Sequence, residues 1–106
     1  MASSDQHLEE LAEIFRLMGD PNRLRILLLV MEGPLPVGEI AERTGLSPSL
    51  VSHNLSRLRA GRLVRSERQG KQVFYQAADA HVDSVLRDML EHVAEVEPNQ
   101  APEGMV

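Results

Sequence analysis

The residues of this 106-residue chain whose types could bind a metal are grouped near its carboxyl end. Asp79 and His81 stand two positions apart, and His92 and Glu95 stand three positions apart. Carboxylate oxygens and imidazole nitrogens bind divalent metals such as zinc. His81 and His92 are separated by almost three turns of an α-helix, so both histidines and Glu95 would share one helix face. The spacing therefore indicates a candidate metal site on a helix.

One ion cannot be held by both ends of that helix. About 16 Å of helix axis separates the two histidines, whereas metal–ligand bonds are about 2 Å long. An antiparallel copy of the helix from a second subunit would bring Asp79 and His81 of one chain to His92 and Glu95 of the other. A dimer twofold axis then generates two equal sites. Two imidazoles and two carboxylates form a closed set of four ligands, which suits tetrahedral zinc.

The same residues also have an ordinary structural interpretation. Asp79 is a good helix N-cap with or without a metal, and His92 and Glu95 could be surface residues of an acidic helix. The spacing by itself leaves both interpretations open.

Basic residues are concentrated in one segment of an acidic chain. The net charge is -5. Residues 47–76 nevertheless carry six basic residues against the single acidic Glu67, a local charge of +5, and the remainder carries -10. One basic surface on an acidic protein suits the binding of nucleic-acid phosphates.

The basic segment contains a candidate DNA-reading helix at residues 47–60. Such a helix needs a narrow polar face that can enter the major groove and bond to base edges. Ser47, at the amino end of this helix, could also bind a phosphate through backbone N–H groups. The predicted DNA contacts on this helix are Ser47, Ser49, Ser52, His53, Asn54, Ser56 and Arg57, and those on the following hairpin are Arg68, Gln69 and Lys71.

Hydrophobic periodicity and capping residues predict five helices and one β-hairpin. We expect helices at residues 5–18, 21–31, 37–44, 48–60 and 79–97, strands at 63–68 and 72–76, and a connector at 32–36. The third and fourth helices, joined through Gly45, would form a helix-turn-helix. The fold class predicted is mainly α with a small β-hairpin, in one domain whose ordered part spans about residues 5–97. Residues 98–106 are expected to form a frayed tail.

Composition narrows the possible functions. Hydrophobic residues make up 42% of the chain but aromatic residues only 3%, so the core must be aliphatic. A domain this small is often supplemented by a dimer interface. The absence of cysteine excludes disulfides and thiolate metal sites. No apolar run is long enough to span a bilayer, and the first residues do not form a signal peptide, so a cytoplasmic protein is expected.

Several segments of the chain resemble the ArsR/SmtB family of repressors. The resemblance extends over about residues 8 to 97. The segments that carry it are 19–27 (GDPNRLRIL), 46–58 (LSPSLVSHNLSRL), 61–64 (GRLV) and 68–75 (RQGKQVFY). The resemblance implies a homodimeric winged helix-turn-helix protein that represses operons until an inducer binds.

The resemblance also indicates which metal ions the protein would sense. The family's cysteine site in the third helix is missing from residues 37–41, which disfavours a sensor of arsenic, cadmium or lead. Asp79, His81, His92 and Glu95 match the zinc-sensing pattern of the family's last helix position for position. Cobalt would bind similarly. Nickel would prefer more ligands, of which His7 could supply one.

Two alternatives to a zinc-responsive repressor fit part of the sequence. The first is a winged-helix repressor without metal sensing, whose last helix only dimerises and which responds to another inducer or a partner. The second is a small zinc buffer or carrier, which the basic recognition face disfavours. An enzyme is not expected, because the chain contains no nucleophile–base pairing, no Gly-rich phosphate loop and no open three-ligand metal site.

Overall fold

The computed structural model describes residues 2–95, with side chains from residue 4. It contains five helices and three strands, with the bounds α1 Ala2–Met18, α2 Pro21–Met31, β1 Leu35–Pro36, α3 Val37–Thr44, α4 Pro48–Ala60, β2 Val64–Gln69, β3 Gln72–Ala77 and α5 Ala80–Ala94. The predicted mainly α fold with a small hairpin is confirmed. The predicted tail at 98–106 and the last predicted residues of the final helix, 96 and 97, lie outside the described residues.

Capping side chains begin two of the helices, α2 and α4, at the predicted positions. The Asp20 carboxylate accepts the N–H of Arg23 at 3.0 Å ahead of α2, and the Ser47 hydroxyl accepts the N–H of Leu50 at 3.1 Å ahead of α4. Pro21 and Pro48 follow these caps, in a position where the missing N–H costs no intrahelical bond. The sequence therefore fixes where α2 and α4 begin.

An aliphatic core joins the helices to the sheet. Its members all lie on inward-facing positions of the described elements, and the most fully enclosed are Ile26, Leu27, Val30, Ile40, Val51, Leu55 and Leu58. Leu63 and Val64 extend the core to the start of β2, and Leu86 extends it to α5. Because α2 and α4 both place side chains in this core, α4 is held rigidly at the surface of the protein.

The sheet is larger by one strand than the sequence predicts. The strand order is β1-β3-β2, and both pairings are antiparallel. Leu35 lies opposite Tyr75 and Pro36 opposite Phe74, in a segment that the sequence predicts to be a connector. The residues Gly33, Pro34 and Pro36 discourage a strand locally, but pairing with β3 holds Leu35 and Pro36 extended, and Pro36 can occupy an edge strand.

The apolar stripes of α1 and α5 are largely exposed in a single chain. On α1, Leu8 is 66% exposed and Phe15 is 56% exposed, and on α5, Met89 is 52% and Val93 is 67% exposed. Hydrophobic side chains exposed together in this way usually mark an interaction surface. No helix within residues 2–95 is long and apolar enough to cross a membrane.

Substitution of Leu27 by alanine tests the core. Leu27 is fully buried, so Leu27→Ala should lower the free energy of unfolding by about 2–5 kcal/mol through lost burial and the cavity left behind. Urea denaturation at a fixed protein concentration measures the loss. Leu50→Ala, which removes the same atoms from a position 37% exposed, is the matched control and should cost much less. Equal losses in the two variants would contradict this core.

Candidate nucleic-acid interface and metal ligands

A tight turn fixes α4 relative to α3. Gly45 ends α3 in the left-handed conformation, with φ at 77°, and its N–H donates to the carbonyl of Ala41 at 2.9 Å. Glycine favours this conformation because it lacks a Cβ atom. Ser47 then caps α4 only two residues later. The short turn and the shared core fix the face that α4 presents to the outside.

The outward face of α4 is polar and narrow, as predicted. Its exposed residues recur at three- and four-residue intervals, which places them on one stripe of the helix. They include the predicted contact residues Ser49, Ser52, His53, Ser56 and Arg57. Ser47 is exposed at the amino end of the same helix. Hydroxyl, imidazole and guanidinium groups on such a stripe can hydrogen-bond to base edges or phosphates.

Asn54 does not belong to the set of predicted DNA contacts on α4. Its predicted position on the outward face is wrong, because only 4% of Asn54 is exposed. Val51, Asn54, Leu55 and Leu58 follow the spacing of an inward stripe, and Asn54 fills the fourth place in it. Leu50, although apolar, lies outside that inward stripe and is 37% exposed. The spacing of the three apolar residues predicts that position 54 is buried, whereas the polar side chain of asparagine favours an exposed position.

The hairpin of β2 and β3 forms a wing with a basic tip. Its two strands pair from Val64 opposite Ala77 to Gln69 opposite Gln72. Gly70, with φ at 65°, allows the tight turn. The predicted contact residues Arg68, Gln69 and Lys71 surround this turn and are exposed.

The basic side chains of residues 47–76 are not neutralised by ion pairs. The salt bridges found among the described residues join Arg16 to Glu13, Arg43 to Glu39, and Arg87 to Asp83 and Glu32. All of them lie outside this segment. The helix α4 and the wing therefore present uncompensated positive charge in an otherwise acidic chain.

The four predicted metal ligands occupy the two ends of α5. Asp79 is the N-cap of α5 and His81 lies in its first turn, whereas His92 lies in its last turn and Glu95 is its C-cap. All four residues are exposed. Within residues 2–95 of one chain, no three His, Asp or Glu side chains are grouped closely enough to hold a metal ion. In a single chain the four predicted ligands therefore form two separate pairs, one at each end of α5.

The Asp79 carboxylate keeps one oxygen for an additional ligand. Its Oδ1 atom accepts the N–H groups of His81 and Val82 at 3.0 and 3.1 Å. Among the described residues, no hydrogen bond to Oδ2 is present. The capping role and a role as a metal ligand are thus compatible, and an imidazole beside a carboxylate is a donor pair that zinc accepts.

A cavity of about 380 Å³ adjoins the first pair of ligands. It is lined by α1 side chains including Leu11 and Phe15, by Asp79 and His81, and by the junction between α4 and β2 at Arg62. Arg62 has a φ of 61°, the left-handed conformation that residues other than glycine rarely adopt. Arg62 is not among the predicted DNA contacts or metal ligands, and its positive φ has no local signature in the sequence.

Known proteins resemble this chain in sequence and in fold. The family model described as bacterial regulatory protein, arsR family, matches residues 20–66. The chain is 38% identical over 87 residues to a transcriptional repressor SmtB homolog from Synechocystis sp., covering 82% of the chain and 66% of that protein. It is 35% identical over 100 residues to the HTH-type transcriptional regulator CmtR from Mycobacterium tuberculosis, covering 94% of the chain and 85% of CmtR.

A solved structure gives the same architecture. The homodimeric winged helix-turn-helix DNA-binding domain of Mb0332 from Mycobacterium bovis superposes with a TM-score of 0.77 at 30% identity, covering 88% of this chain and 85% of that one. These relatives are transcriptional regulators rather than enzymes. The polar face of α4 and the basic wing are features of a DNA-binding protein, and the relatives are transcriptional regulators. The chain therefore belongs to the arsR family of bacterial regulatory proteins and is a winged helix-turn-helix transcriptional regulator.

Proposed function

We propose that this regulator is a metal-responsive repressor whose metal-free homodimer binds operator DNA in the cytoplasm and whose release from DNA follows zinc binding. The observation that carries the proposal is the arrangement of α5. One ligand pair stands at each end of this helix, and exposed apolar side chains lie between the pairs.

The exposed apolar side chains of α1 and α5 support a homodimer. Phe15 on α1 and Val85, Met89, Leu90 and Val93 on α5 are each more than 40% exposed in the single chain. Burying such a surface against a second copy stabilises both subunits by about 25 cal/mol for every Å² of apolar area removed from water. An antiparallel α5–α5 contact would serve this purpose and would obey twofold symmetry.

The same contact would complete the metal sites. Asp79 and His81 at the beginning of one α5 would meet the partner's His92 and the partner's Glu95 at the end of the other. Zinc would supply a bond between the subunits at each site, and its preference for four nitrogen and oxygen ligands matches the set. Cobalt would fit the same set. Nickel would need further ligands, for which His7 on the exposed surface of α1 is a candidate.

DNA binding would use the two α4 helices of the dimer in successive major grooves. Ser49, Ser52, His53, Ser56 and Arg57 would face base edges and nearby phosphates, and Ser47 would bind a phosphate at the amino end of the helix. Arg68, Gln69 and Lys71 would bring the wing to the adjacent backbone or minor groove.

The junction at Arg62 offers a route from metal to DNA. Asp79, His81 and Arg62 line one cavity, and Arg62 directly joins α4 to the wing. A ligand pair drawn toward the partner's α5 would shift this junction and with it the distance between the two α4 helices. Coupling free energies between two binding sites are typically 1–3 kcal/mol, and here the coupling cannot exceed the difference in zinc affinity between the two dimer forms.

Arg57→Ala tests the DNA-reading face. The lost guanidinium contact should weaken operator binding by about 1–3 kcal/mol, which is roughly 5- to 150-fold, and should relax sequence preference at one base pair of each half-site. Fluorescence anisotropy with DNA from upstream of the protein's own operon, in chelator, measures both effects. Arg16→Ala on α1 makes the same change outside the basic segment and should bind DNA normally. Unchanged affinity in Arg57→Ala would exclude this residue from the interface.

The shared metal site predicts complementation between two defective subunits. His81→Ala and His92→Ala homodimers should both bind operator DNA, and neither should bind zinc tightly or respond to it. A purified heterodimer of the two variants keeps one complete site, so it should bind one zinc ion per dimer, measured by metal analysis after gel filtration. The variant His7→Ala is the control and should keep two zinc ions per dimer.

Two results would contradict the proposed site. A heterodimer that binds no zinc would show that the ligands do not come from both subunits. Zinc-induced release of DNA from the doubly substituted His81→Ala, His92→Ala protein would place the metal elsewhere. If the wild-type protein stays on DNA at saturating zinc, α5 only dimerises and the regulator responds to a different inducer.

A further inference from the structure

Three arginines of the basic segment that have no part in the predicted DNA contacts surround one surface pocket. Arg59 lies in the last turn of α4, Arg62 forms the junction, and Arg65 lies in β2. They line a depression of about 390 Å³ together with Val64, Ser66, Ala78 and Asp79. Three guanidinium groups around one depression repel one another unless an anion lies between them.

The pocket keeps a net positive charge. Among the described residues, no Asp or Glu oxygen lies within 4.0 Å of a guanidinium nitrogen of Arg59, Arg62 or Arg65. Asp79 is the one carboxylate on the lining, and its Oδ1 atom is already bonded to two N–H groups at the start of α5. Three positive charges therefore face a single negative one.

The backbone at Arg62 has a conformation that glycine would adopt more favourably than arginine. The N–H of Leu63 donates to the carbonyl of Leu58, and that of Arg62 donates to the carbonyl of Arg59, both at 2.9 Å. This pair of bonds is a Schellman motif, which places Arg62 at the position that glycine favours. An arginine at φ 61° is less favourable than glycine would be. Unfavourable backbone of this kind is found mainly at functional sites.

We propose that Arg59, Arg62 and Arg65 bind a phosphate of the DNA backbone at the base of the wing, beside the groove that α4 enters. The inference rests on the DNA-binding part of the proposed function and not on the metal site. Guanidinium groups bind phosphate oxygens through paired N–H donors. The pocket lies between α4 and β2, the two elements that carry the predicted DNA contacts.

The exposure of the pocket favours DNA over a small free anion. All three arginines are exposed, whereas sites for small ligands usually enclose most of the ligand surface. Arg57 on α4 and Arg68 on β2, which precede and follow the pocket arginines in the chain, are also exposed. A duplex that contacts both α4 and the wing would pass over the junction between them, where the pocket lies.

The variant Arg62→Gly tests the phosphate contact without lowering the stability of the fold. Glycine relieves the positive φ and keeps the backbone carbonyl, so the midpoint of thermal unfolding should stay the same or rise. Because the dimer loses one of the three guanidinium groups at each phosphate, the slope of log K against log salt should become shallower, by at most about 1.8 when each lost arginine counts as one ion pair. The ratio of wild-type to variant affinity should then be larger at 50 mM than at 200 mM salt, by at most roughly tenfold.

The salt titrations use chelator-treated protein with two duplexes of equal length, one from upstream of the protein's operon and one of random sequence. Arg59→Gln and Arg65→Gln should give the same change of slope on both duplexes, because a phosphate contact carries no sequence information. Arg16→Gln, outside the basic segment, is the charge-matched control and should leave the slope unchanged.

Three outcomes would overturn the proposal. Unchanged slopes in all three pocket variants would show that the pocket does not contact DNA. Loss of affinity on the operon duplex alone would indicate base reading instead. Unchanged slopes together with stabilisation of the wild type, but not of the variants, by inorganic phosphate would identify a site for a free anion. A wild-type protein that binds neither duplex would instead refute the proposed repressor function.

Discussion

The burial of one side of α4 is the constraint on which the rest of the molecule depends. Val51, Leu55 and Leu58 are almost completely removed from water, in the same core as Ile26 and Ile40. A helix fixed on one side must present the opposite side to solvent, because side chains at three- and four-residue intervals share a face. The polar surface of α4 is therefore a consequence of the packing on the other side, and its rigidity makes a defined fit to a groove possible.

Positive and negative charges are concentrated in different segments of the chain. The segment from Ser47 to Gln76 contributes α4, the junction and the wing, and it holds most of the basic residues. The rest of the chain carries a net charge of -10, although the charges of α2 itself, Arg23 and Arg25, are basic, and the salt bridges found among the described residues lie outside the basic segment. An acidic body favours contact through the basic surface alone, since phosphates are repelled elsewhere. This arrangement explains how a protein with a net charge of -5 can bind DNA.

The junction between α4 and the wing connects the two proposed activities. Arg62 lines the cavity that contains Asp79 and His81 and also the pocket that contains Arg59 and Arg65. Gly61 beside it approaches α1 so closely that an added Cβ would lie 2.4 Å from a Leu17 methyl group. The junction therefore lies between the proposed metal ligands on one side and the proposed phosphate contact on the other.

Local chemistry in the sequence determined the helices and the hairpin. The caps at Asp20, Ser47 and Asp79 and the turn at Gly70 act within a few residues, so pattern alone predicted where these three helices begin and where the hairpin turns. The tertiary structure decided what no local pattern contains. Pairing with β3 made a strand of Leu35 and Pro36, and packing drew Asn54 into the core. Contacts between distant segments also gathered Arg59, Arg62 and Arg65 around one pocket, because burial and pairing are settled between elements and not within them.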